Sequence, residues 1–158
     1  MKKLLASVAS LAAVVALSLP ASASGAFTST TPLHNAPFSF VIPISCSGPF
    51  SGSTAITATV NGVEHLTVNG TGNWFTMTAA GEGTLVVSDV AASPFQGHVE
   101  FWFGAEVNLQ NSVAHATFNF HGASVPNPSQ TLAMHAAFDV TVNANGTLTA
   151  SHFTDSCS

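Results

Sequence analysis

A single-domain, all-β fold is predicted, an antiparallel meander closed into a β-barrel of about eight strands. Three observations predict it. Residues Gly97–Gly122 alternate apolar and polar side chains on both sides of a short polar loop. Similar short runs recur along the chain, separated by turns containing Gly, Asn or Pro. Beyond the N-terminal segment, no stretch carries a helical period of useful length. A β-sandwich built from the same strands is the alternative.

The N-terminus reads as a targeting segment. Lys2 and Lys3 form a positive start, Leu4–Leu19 an apolar run, and Ala21-Ser22-Ala23 a small-x-small cleavage site. The run is short and Ala-rich for a spanning anchor, so it is expected to be a signal peptide cut after Ala23. Residues 24–36 then form a flexible leader and 37–158 the β-domain, in a secreted protein with no membrane insertion after cleavage.

Within that domain, Phe38–Ser45 is the first expected strand, with Pro43 marking an edge or a bulge. Ser47–Ser53 follows as a turn. Asn61-Gly62 lies between the apolar runs Thr54–Val60 and Val63–Val68 and predicts a type I′ hairpin with Val60 opposite Val63. Asn69–Gly72 and Ala79–Gly83 are expected turns on either side of a strand over Asn73–Thr78, with Thr84–Val90 following. Ser93-Pro94 breaks the chain before the Gly97–Gly122 hairpin. Ala123–Gln130, with Pro126 and Pro128, is a surface loop, and Thr131–Val142 alternates again. Asn145-Gly146 turns into a last strand over Thr147–Thr154, whose buried face depends on the turn length.

Composition narrows the function. Lys2 and Lys3 are the only basic residues apart from His, so a chain cut after Ala23 is an acidic protein with net charge −7. With imidazolium as its only cation, it is unsuited to neutralising phosphates, which argues against nucleic acid and anionic membranes as partners. It also lacks Tyr. Cys46 and Cys157 are the only cysteines and predict one disulfide in an exported protein. There is no CxxC, nucleophile elbow or phosphate-binding loop, and no pattern calls for a cofactor.

Two stretches carry a resemblance. Asn61–Phe75, NGVEHLTVNGTGNWF, and the hairpin, with EFWFG from Glu100 and NSVAH from Asn111, resemble small exported β-rich proteins of actinobacteria. That family has no known activity, so the resemblance implies export and β-structure. The architecture is also similar to dirigent, allene oxide cyclase and lipocalin barrels, an analogy that carries over no site residue.

The candidate site lies on the hairpin's polar face. A four-residue loop at Asn108–Asn111 pairs Phe101 with Phe118, Val99 with Phe120, His98 with His121, Glu100 with Asn119 and Trp102 with Thr117. One allowed register of the next strand pairs His135 with Asn119 and Asp139 with His115. Burying the Phe face is worth about 1.5–3 kcal/mol per side chain, whereas unpaired ionised groups inside are costly. Phe is therefore expected inside and His outside. His98, Glu100, Trp102, Thr117, Asn119, His121 and His135 make a ligand-binding candidate, in which Trp102 stacks a sugar ring while its neighbours fix hydroxyls. His98, Glu100 and His121 are also a weak metal-ligand candidate. A third reading is a cofactor-free isomerase or cyclase using His115 with Asp139, or Glu64 with His65, although that second pair is adjacent in sequence and so points to opposite faces of a strand. No catalytic residue is assigned. The expected function is a binding or interaction module for a small apolar ligand or a glycan, and a homo-oligomer is compatible with it.

Overall fold

The computed structural model describes residues 26–44, 52–87 and 90–158. The expected signal peptide, Cys46 and most of the first expected turn lie outside the described residues. Seven strands follow one another: β1 (Phe27–Ile44), β2 (Gly52–Val68), β3 (Gly72–Val87), β4 (Phe95–Asn108), β5 (Asn111–Ser124), β6 (Thr131–Asn143) and β7 (Leu148–Cys157). They form one antiparallel sheet in sequence order. The expected meander is present. Its ladder runs from β1 to β7 and, among the described residues, does not close on itself.

The sheet is nevertheless strongly rolled. Phe40 of β1 and Phe118 of β5 have ring centroids 5.1 Å apart, although four inter-strand steps on a flat sheet would separate them by about 19 Å. Phe38 of β1 likewise lies 4.9 Å from Phe101 of β4. Inside the roll, Ile56, Leu85, Phe95, Val99 and Leu132 are fully buried. Phe153 of β7 packs against the same cluster.

Small residues permit this curvature. Gly83, Gly97 and Gly122 sit side by side on three adjacent strands. A Cβ at Gly97 would fall 2.1 Å from the carbonyl oxygen of His121 and 2.4 Å from the Cα of Gly122. No side chain larger than hydrogen fits so close an approach, and glycine at such a row lets the sheet bend.

Several expected boundaries differ. Asn61-Gly62 does not turn: β2 runs through it, pairing Gly62 with Leu33 of β1 and Ala79 of β3. A hairpin there would forfeit ladders on both sides, so tertiary pairing overrides a strong local turn preference. Asn61 instead accepts a hydrogen bond from the backbone N–H of Asn35 at 3.0 Å. Ala79–Gly83 does not turn either, because these small residues lie within the continuous β3, where Gly81 opposes Val60 and Val99. The result is fewer, longer strands than expected. Residues 27–36, expected in the leader, belong to β1. That strand is an edge, which suits Pro32, Pro37 and Pro43, and its ladder shifts between Leu33 and Ala36, where Asn35 has φ 48°.

The hairpin ends share one device. Asn69, Asn108 and Asn143 each accept backbone N–H groups of the following turn through Oδ1, the local bond that makes Asn a turn residue. The Asn145-Gly146 turn forms, with Gly146 at φ 77°. It sets Phe153 opposite Phe138, so Phe153 faces inward and His152 outward.

Candidate functional site

The β4–β5–β6 register follows the sequence expectation pair for pair: His98–His121, Glu100–Asn119, Trp102–Thr117, Asn119–His135 and His115–Asp139. Because successive residues of a strand alternate faces, the burial of Val99, Phe103, Phe118 and Phe120 turns their polar neighbours to the outer face. His98, Glu100, Trp102, Asn119, His121 and His135 are exposed, and Thr117 is half-buried.

Two grooves bring these residues together. The first, about 460 Å³, is lined by His98, Glu100, Asn119, His121, His135 and Ser156, among others. The second, about 400 Å³, includes Asn61, Thr78, Glu100, Trp102, Thr117 and Asn119. Glu100 and Asn119 border both grooves. These volumes lie in the range of about 300–1,000 Å³ typical of small-ligand sites.

The polar groups have defined roles. His135 Nδ1 is 2.7 Å from Asn119 Oδ1. An amide oxygen only accepts, so Nδ1 donates in this bond, leaving the two N–H groups of Asn119 and the Nε2 of His135 for a ligand. His98 lies between two carboxylates, with Nδ1 3.4 Å from Glu82 and Nε2 3.7 Å from Glu100. His121 makes no side-chain hydrogen bond or ion pair among the described residues. The ensemble offers donors and acceptors in alternation, with no Lys or Arg.

Trp102 is 37 % exposed, and its position has a specific cause. A Cβ at Gly104 would meet Trp102 Cη2 at 2.8 Å and Cζ2 at 3.0 Å. The benzo end of the ring therefore occupies the space beside Gly104, two residues along the same strand face. Trp102 also lines the second groove.

The other readings fare differently. Among the described residues, no group of three or more His, Cys, Asp or Glu could hold a metal ion, so His98, Glu100 and His121 do not converge as a ligand set. Their cross-strand spacing suits pairwise contacts rather than a common centre. His115 Nδ1 does contact Asp139, and His152 approaches the second Asp139 oxygen at 3.8 Å. This cluster is about half exposed and borders neither groove. His65 is 2.9 Å from the Thr30 hydroxyl. Glu64, opposite Met77 in the ladder, belongs to the other face, so the Glu64–His65 pair does not form.

Sequence reasoning missed Glu82, Asn61, Ser156 and His152. The first two were hidden by the expected turns, although Thr78, Ala80, Glu82 and Thr84 alternate with small residues in a strand pattern. The last two depended on the face of β7. Compared with protein-family models, curated proteins and solved structures, the chain matches none.

Proposed function

We propose that this is an exported binding module whose outer face takes neutral carbohydrate. The observation that carries this reading is the partly exposed indole of Trp102, in contact with Gly104 and lining a groove with polar neighbours. A flat, partly desolvated aromatic ring favours the apolar face of a sugar. Glu100, the Asn119 amide and His135 Nε2 supply acceptors and donors for its hydroxyls. Without Lys or Arg after Lys3, the surface disfavours sulfated or uronic glycans. A small apolar ligand within the roll is the weaker reading, because Phe38, Phe40, Phe101 and Phe118 pack against one another there.

The signal-peptide pattern and the resemblance to exported actinobacterial proteins support secretion after cleavage at Ala23. A Cys46–Cys157 disulfide fits this setting, and no cysteine among the described residues is free. Such a bridge would tie the edges of the roll and complete a barrel-like closure that the hydrogen-bond ladder alone lacks.

A glycan array probed with the full mature chain tests the reading. Binding to neutral glycans that is lost in Trp102→Ala, with the far-UV spectrum unchanged, supports it. Absence of binding, or binding indifferent to that substitution, refutes it.

A further inference from the structure

The two grooves meet along one cross-strand row of the sheet. Asn61 pairs with Ala80, Ala80 with Glu100, Glu100 with Asn119, Asn119 with His135, and His135 with Ser156. These residues come from six consecutive strands, β2 to β7, and all but Ala80 are polar. Five inter-strand steps trace a contour of roughly 24 Å over the curved outer face. The second groove covers the β2–β5 part of this row and the first its β4–β7 part, overlapping at Glu100 and Asn119.

From this rail we infer that the ligand is a linear neutral polysaccharide that curves across the strands, rather than a mono- or disaccharide held at Trp102 alone. The inference rests on the carbohydrate reading above and adds its length and direction. From Glu100 to Ser156 polar side chains recur at the inter-strand spacing of about 4.8 Å, so successive sugar hydroxyls can be met along the row. Trp102 flanks the rail one row away and stacks a single ring, while Asn119, His135 and Ser156 continue the contacts toward β7. At the opposite end, Asn61 accepts the backbone N–H of Asn35 through Oδ1 and lines the second groove, where its amide N–H groups are the donors a ligand would use. A shallow site made of successive weak polar contacts gains affinity by linking them on one chain.

The test is a titration series on the full mature chain with mono-, di-, tetra- and hexasaccharides of cellulose, xylan, mannan and chitin. For at least one series, the hexasaccharide is expected to bind at least tenfold more tightly than the disaccharide. Ser156→Ala and Asn61→Asp, which preserves the acceptor for Asn35, each weaken hexasaccharide binding about threefold and leave the disaccharide unchanged. Trp102→Ala weakens both. Equal affinity for disaccharide and hexasaccharide, or rail-end variants that alter neither ligand, overturns the extended-chain inference while leaving a sugar site at Trp102. Failure of every saccharide to bind overturns both.

Discussion

Replacing Gly97 with alanine tests how the roll is made. The new methyl would lie 2.1 Å from the carbonyl oxygen of His121 and 2.4 Å from the Cα of Gly122. Both are backbone atoms of β5, so no side-chain rotation relieves the contact and the two strands must part. Overpacking of this kind costs about 1–3 kcal/mol. Each ladder hydrogen bond lengthened or lost adds about 1 kcal/mol. The lower chain entropy of unfolded alanine returns roughly 0.4–1 kcal/mol. The net expectation is a loss of about 2–3 kcal/mol, or a fall in Tm of roughly 8–12 °C for a domain this size. Urea unfolding followed by Trp fluorescence measures it. Gly70→Ala is the control, because a Cβ there meets nothing within 4 Å, and it should stay within about 0.5 kcal/mol of the parent. Equal midpoints for the two variants would refute the claim that the Gly83–Gly97–Gly122 row permits the curvature.

Two further outcomes are expected. Gly104→Ala displaces the Trp102 ring from its seat and should lower saccharide affinity several-fold while changing stability by less than about 1 kcal/mol, as read by calorimetric titration and urea unfolding of the same preparation. Reducing the expected Cys46–Cys157 bridge, or replacing both cysteines with serine, should remove up to about 4–5 kcal/mol of stability. Two thiols titrating in the native, oxidised protein would contradict that bridge.

The hairpin was legible in fine detail because each of its strands mixes large apolar and polar residues. A one-residue slip would have turned Phe118 and Phe120 to water and His115 and Asn119 to the core. Matching polar to polar then carried the register on to His135 and Asp139. Legibility failed where side chains are small. Ala79, Gly81 and Gly83 resemble a turn in sequence, yet they are where β3 lets neighbouring backbones approach, and reading them as a turn concealed Glu82. Asn61-Gly62 misled for a related reason: its turn preference is local, while the ladders to Leu33 and Ala79 come from residues distant in sequence. The rail from Asn61 to Ser156 was illegible because it needs both corrections and the face of β7 together. Trp102 was legible on the polar face, but its contact with Gly104 emerged only with the folded strand.

The most direct test of carbohydrate binding on the outer face uses the protein's two tryptophans. Trp74→Phe leaves Trp102 as the sole indole. Its emission is then followed while soluble neutral polysaccharides (a glucan, a xylan, a mannan and a chitin oligomer) are added to the mature chain. A saturable blue shift or quench with at least one of them is the expected result. Emission indifferent to all four, in a variant that unfolds with the parent's midpoint, would contradict the account.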